Sequence, residues 1–163
     1  MAEHNKHLIT WLNDAYAMEV EITKILESHK KAAEDFPQVE EKIDEHWEVT
    51  KKQAERIKKC IEGLGESVSS TKSVMATVMG MIAGPTTGLF DDAVIKNSAL
   101  EFATEHFEIS VYRVLIAAAD KFGHDDIVDI CQQNMQEEEE MAEWLDENMD
   151  SLVNDFLGRE KDS

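Results

Sequence analysis

Apolar residues return along most of this chain in alternating steps of four and three, the spacing that lines up one face of an α-helix. The first such segment runs from about His4 to Ala33, with Leu8, Leu12, Ala15, Glu19, Ile22, Leu26 and His29 on a single seam. Pro37 suits the first turn of a second helix, which reaches about Leu64, where Gly63 and Gly65 end it. Its apolar face is Ile43, Trp47, Ala54, Ile57 and Ile61, with His46, Thr50 and Gln53 on the flank. The third segment starts near Asp91 or Asp92 and runs to Phe122, where Gly123 stops it. Glu101, Glu105, Glu108, Tyr112 and Leu115 share one of its stripes, with Phe102, Phe107, Val111 and Ala119 beside them. The fourth begins after Gly123, with Asp125 or Asp126 near its cap, and runs past Trp144 towards Phe156. Its seam is Ile127, Cys131, Asn134, Glu138, Met141, Leu145 and Leu152.

Between the second and third segments the texture changes. ESVSSTKSVMATVMGMIAGPTTGLFDD is rich in Ser, Thr, Gly and Met and reads as a long crossover, about residues 65–90. A short helix is predicted over Val74 to Ile82, capped by Ser70 or Thr71, with a turn at GPTTG. The fold expected is all-α: one domain over residues 1–163, two antiparallel helical hairpins joined by the crossover, forming a four-helix bundle with a short extra helix. The stretch from about 158 to 163 is expected to be a disordered tail.

Composition sharpens this picture. Only two prolines and seven glycines among 163 residues favour long uninterrupted helices. The formal net charge is -19, which repels phosphates and anionic lipid and argues against nucleic acid or membrane partners. Cys60 and Cys131 fall inside apolar helical patterns and read as small core residues, not a disulfide or a metal knuckle. No stretch approaches a membrane span, and MAEHNKHLITWLNDAYAME shows no secretory signature; a cytoplasmic location is expected. Gly-rich phosphate loops, Cys-x-x-Cys pairs and nucleophile elbows are absent from the sequence.

The chemistry lies in the glutamates. MQEEEEMAEWL, residues 135–145, places four in a row. Successive helical residues point about 100° apart, so all four cannot face water. On the seam register Glu138 faces inward, Glu137 lies at the edge, and Glu139 and Glu140 face out. Folding the last two helices about Gly123 sets Glu138 opposite Glu108 and Asn134 opposite Tyr112. Folding the first two near Asp35 sets Glu19 opposite Thr50 to Gln53, with His46 about a turn away.

A carboxylate buried alone must protonate, pair or bind a cation. Acids converging from separate helices are the makings of a dimetal carboxylate site, though the usual recipe of two Glu-x-x-His motifs is not met. The chain offers Ile43-x-x-His46, Glu105-x-x-Glu108 and Glu138-x-x-Met141 instead. The candidate ligands are Glu19, Glu108 and Glu138, assisted by His46 or Glu105, for one or two hard or borderline cations completed by water. Structural alternatives stand beside them. Glu19 can hydrogen-bond Thr50 or Gln53, His46 can bond a neighbour, Glu101 and Glu105 can be flank residues, and Tyr112 can be a hydrogen-bond donor or a core aromatic.

AYAMEVEITKIL, DEHWEVTKKQAERI, ATEHFEISVYRVL and NMQEEEEMAEWL together resemble the YciF-type bacterial stress-response proteins of the ferritin-like superfamily. Glu19 after Tyr16, His46 followed by Thr50 and Gln53, the block Glu105, His106, Glu108 and Tyr112, and the double acid Glu137 and Glu138 carry the likeness, from about residue 8 to 150. The resemblance implies a ferritin-like bundle, a homodimer, the bacterial cytoplasm and metal binding of the rubrerythrin and ferritin kind. Many relatives carry an acid three residues after the second-helix histidine, where this chain has Val49. Two functions follow. One is a stress protein binding iron or manganese, with no organic cofactor, at which oxygen or peroxide reacts. The other is a non-catalytic bundle whose inward acids are hydrogen-bonded or share protons, and which binds or protects other proteins.

Overall fold

Each of the four periodic segments is a helix in the computed structural model, which describes residues 5–69 and 90–161. They are α1 (Lys6–Ala32), α2 (Pro37–Gly63), α3 (Ala93–Phe122) and α4 (Asp125–Lys161). No strand occurs among the described residues. The short helix expected over residues 74–82 lies outside them. α4 continues to Lys161, into the stretch expected to be a disordered tail.

The helix ends are set by local chemistry. Pro37 occupies the first turn of α2, where its missing N–H has no intrahelical partner to lose. α2 and α3 stop the same way. Gly65 (φ 81°) and Gly123 (φ 74°) adopt the left-handed conformation that other residues rarely take. Glu66 N–H then reaches Ile61 O at 3.2 Å, and His124 N–H reaches Ala119 O at 3.0 Å, which satisfies carbonyls the helix would leave bare. Gly63, also expected to end α2, is instead its last helical residue.

Each hairpin packs along its own length, α1 on α2 and α3 on α4; between hairpins α1 meets α3 and α2 meets α4. Side-chain pairs fix the directions. Tyr112 bonds Glu19 while His29 bonds Glu101, so α1 and α3 run antiparallel. His46 lies beside Glu138 while Arg56 bonds Asn134, so α2 and α4 are antiparallel too. α2 and α3 therefore point the same way, and the end of one lies at the opposite end of the bundle from the start of the other. One full-length crossover is the connectivity of ferritin-like bundles.

Two apolar plugs hold the ends. Leu8, Leu12, Ile57, Ile61, Leu115, Ile127 and Cys131 fill one; Met18, Ile22, Leu26, Ile43, Val94 and Leu152 fill the other. Burying each large aliphatic side chain contributes about 1.5–3 kcal/mol, so these plugs supply the stability that tolerates a polar layer between them. On α2 the expected face shifts. His46, Thr50 and Gln53, placed on the flank by the sequence, are 4%, 1% and 0% exposed, whereas Trp47 is only partly buried. The seam Val39, Ile43, His46, Thr50, Gln53, Ile57 and Cys60 keeps the four-three steps unbroken through its polar members. Cys60 and Cys131 are free and buried, as expected of core residues. No described helix is long and apolar enough to cross a membrane.

Candidate metal centre

The polar layer draws on all four helices. α1 brings Glu19, α2 His46, α3 Glu105 and Glu108, and α4 Glu138, each at most 4% exposed. The five candidate ligands from the sequence thus come together. They form two overlapping triplets: His46, Glu105 and Glu138, and Glu19, Glu108 and Glu138, with each triplet's ligand atoms within 4.8 Å of one another. Glu138 belongs to both. Glu105 and Glu108, three residues apart on α3, serve one triplet each. Ions of this class hold oxygen and nitrogen at roughly 2.0–2.6 Å, so ligands facing each other across an ion stand about 4–5 Å apart. Each triplet needs little rearrangement to accept one.

What the side chains lack is as informative. Both carboxylate oxygens of Glu105, Glu108 and Glu138, and Oε2 of Glu19, are buried without an aligned hydrogen bond, although the Gln53 amide lies near enough to Glu138 to oppose its upward shift. His46 Nε2 lies 3.3 Å from Glu105 Oε1 and 3.5 Å from Glu138 Oε2, without an aligned hydrogen bond. Burial pushes the carboxyl of Glu138 well above the usual range, and Glu105 beside it adds to the shift. Burial does the same to Glu108, reinforced by Glu138 and Glu19. Glu105 is raised chiefly by burial. Glu19 is raised by burial and by Glu138, against the opposing hydrogen bond from Tyr112. Acceptor-only oxygens without donors satisfy their lone pairs with a cation or with protons of their own, and the oxygen-rich set with one imidazole suits hard or borderline cations.

Several pairings differ from expectation. Glu19 does not bond Thr50 or Gln53. The Thr50 hydroxyl donates to the His46 carbonyl at 2.9 Å, and the Gln53 amide to the Asn134 carbonyl at 3.5 Å. The partner of Glu19 is the hydroxyl of Tyr112, because α1 lies against α3 as well as α2. Tyr112 and Asn134 do face each other, at 2.9 Å. Glu101, read as a flank residue, is 2% exposed and bonded to His29, itself 1% exposed. His29, expected to have no special role near its helix end, stands on the α1 seam, and that regular step was the signal for it. Arg56 was missed altogether. It binds Glu137 through two nitrogens at 2.7 and 2.9 Å. The clue was that α4 has no basic residue before Gly158, so a cation for Glu137 has to come from another helix.

Fold and site together define a ferritin-like four-helix bundle with a carboxylate-rich polar layer at mid-length. The chain belongs to the family described as Domain of unknown function (DUF892), which matches residues 3–158. It is similar to a structurally characterised protein of Xanthomonas campestris pv. campestris, with 33% identity over 98% of this chain and 99% of that one, TM-score 0.82. YcfI of Rhodopseudomonas palustris is 31% identical over 88% of this chain and 92% of its own, TM-score 0.79. The E. coli stress protein YciF, 22% identical, shares the fold at TM-score 0.83 over 94% of this chain and 99% of its own.

Proposed function

We propose that the chain is a metal-binding stress protein that holds two divalent cations, iron or manganese, in the bundle centre. Glu138, common to both triplets, would serve both ions, with His46 and Glu105 holding one and Glu19 and Glu108 the other. The observation that carries this reading is the set of buried carboxylate oxygens on Glu105, Glu108 and Glu138 that form no aligned hydrogen bond. When bound, such a pair of ions supplies electrons to an oxidant such as oxygen or peroxide. The chain's own residues hold the ions, balance their charge and, through the apolar plugs, keep bulk water away. The stress assignment follows the likeness to the E. coli stress protein YciF, and a cytoplasmic homodimer follows the family resemblance.

The test is metal content by plasma mass spectrometry on protein made without a His tag or chelator, beside Glu108→Gln/Glu138→Gln. Two equivalents of iron or manganese, lost in the double variant, support the proposal. No stoichiometric metal after anaerobic reconstitution with ferrous iron refutes it. Light scattering checks the dimer, which requires twice the chain mass.

One observation favours a second reading. Glu105 and Glu138 lie close enough to share a hydrogen bond when one of them is protonated. A proton-sharing centre of this kind needs no metal and leaves a non-catalytic bundle that binds or protects other proteins.

A further inference from the structure

The proposed cation position formed by Glu19, Glu108 and Glu138 is connected to the rim of the bundle by one continuous chain of hydrogen bonds. It starts at Arg56 on α2, whose side chain is 21% exposed, paired with Glu137 on α4 at 22%. Arg56 Nη1 donates to Asn134 Oδ1 at 2.7 Å. Asn134 Nδ2 donates to the Tyr112 oxygen at 2.9 Å. The Tyr112 hydroxyl donates to Glu19 Oε1.

The direction of this chain is dictated at its outer end. A guanidinium has five donors and no acceptor. The amide of Asn134 must therefore turn its oxygen to Arg56, which leaves its nitrogen facing Tyr112. A nitrogen donor occupies the acceptor side of the tyrosine oxygen, so the hydroxyl hydrogen is free to point at Glu19. Glu19 accepts it on Oε1, and its second oxygen, Oε2, is left buried without a donor. Remove the donor at the rim and the amide can flip. Tyr112 is then offered an acceptor, and its hydrogen turns away from Glu19. The bidentate grip of Glu137, at 2.7 and 2.9 Å, holds Arg56 in place.

We propose that Arg56 is the positioning residue for Glu19: acting through Asn134 and Tyr112, it keeps the Tyr112 hydrogen on one oxygen of Glu19 and so leaves the other oxygen for the cation. The cation half of this statement rests on the proposed metal function; the orientation half does not. Partners of metal ligands that act from outside the ligand shell typically change affinity by about 10–100-fold when removed.

The experiment compares wild type, Arg56→Met, Arg56→Lys and Asn134→Asp in two ways. Proton NMR of the metal-free protein follows the Tyr112 hydroxyl hydrogen, assigned by its loss in Tyr112→Phe. Calorimetric titration with manganese(II) reads each cation position. Lysine is also donor-only, so Arg56→Lys keeps the hydroxyl resonance and both manganese ions, while Arg56→Met displaces the resonance and weakens one manganese ion about 10–100-fold. Asn134→Asp keeps size and shape but offers Tyr112 an acceptor, so it also weakens that ion. If Arg56→Met leaves the resonance and both affinities unchanged, or if Arg56→Lys behaves like Arg56→Met, the proposal is overturned. Should Arg56→Met fail to fold, Asn134→Asp decides it alone, and unchanged manganese binding there overturns it. If wild type takes up neither manganese nor, anaerobically, ferrous iron, the metal function fails on its own account. The resonance then decides the orientation: displacement in Arg56→Met but not in Arg56→Lys supports it, and any other pattern overturns it.

Discussion

Glu138→Gln separates the electrostatics of the centre from its packing. Glu138 is fully buried and belongs to both triplets, whose ligand atoms lie within 4.8 Å of one another. Two unit charges at that separation repel by about 3.5 kcal/mol at an effective dielectric constant near 20. Without a cation the carboxyls cannot all ionise at neutral pH, and the cost falls on the folded state. Glutamine has nearly the same shape, carries no charge, and brings an N–H donor to a region where the oxygens of Glu105 and Glu108 have none. Replacing poorly compensated buried charge with a neutral group is commonly neutral or stabilising by about 1–4 kcal/mol. We expect the variant in EDTA to gain about 1–3 kcal/mol at pH 7, or about 2–12 °C in Tm at roughly 2–4 °C per kcal/mol for a chain of this size. With manganese(II) the order reverses. Wild type gains about 2.7 kcal/mol per site at a free concentration of 100 Kd, about 5.4 kcal/mol for two independent sites, and the variant, lacking the shared ligand, gains little. Differential scanning calorimetry with and without metal reads both effects. A variant that loses the same Tm in EDTA and in manganese would show Glu138 to be a satisfied structural residue and refute the repulsion argument.

Other outcomes follow from the same geometry. Because burial holds Glu19, Glu105, Glu108 and Glu138 above their ordinary values, the folded state binds more protons than the unfolded chain once pH passes the unfolded value of about 4.3. Stability of the metal-free protein then falls as pH rises above that point, and the fall should be steeper for wild type than for Glu108→Gln/Glu138→Gln in parallel melts; equal slopes would contradict it. Tyr112→Phe removes the only hydrogen-bond donor to the Glu19 carboxylate among the described residues. It is expected to cost about 1–3 kcal/mol in urea unfolding, and a neutral result would mean that Glu19 is protonated and bonded elsewhere. Leu12→Ala, in the fully buried plug near Ile57 and Leu115, should cost about 2–5 kcal/mol without changing metal content. Gly123→Ala meets open space but a φ of 74°, so its cost is backbone strain alone, about 1–2 kcal/mol.

Much of this protein is legible in one dimension. Periodicity places the four helices within a few residues, and Gly65, Gly123 and Pro37 mark ends and starts because their backbone chemistry is local. It also singles out Glu138 from its three acidic neighbours, since only one of four consecutive residues can share the seam of Cys131, Asn134 and Met141; Glu137 is partly buried while Glu139 and Glu140 are exposed. That Glu19, Glu108 and Glu138 face inward follows from the same spacing. What periodicity cannot carry is which helices are neighbours. The hairpin partners were correctly paired, because a short turn forces them together. Across hairpins the inward acids do meet, but their individual hydrogen-bond partners depend on how one hairpin packs against the other. Hence Glu19 was assigned partners on α2 and found one on α3. His46, Thr50 and Gln53 were put on a flank until two facing helices closed over them. His29, Glu101 and Arg56 gained partners that lie 72 to 81 residues away in sequence. Spacing along a helix decides which side chains are turned inward, and the packing of one hairpin against the other decides what each of them meets.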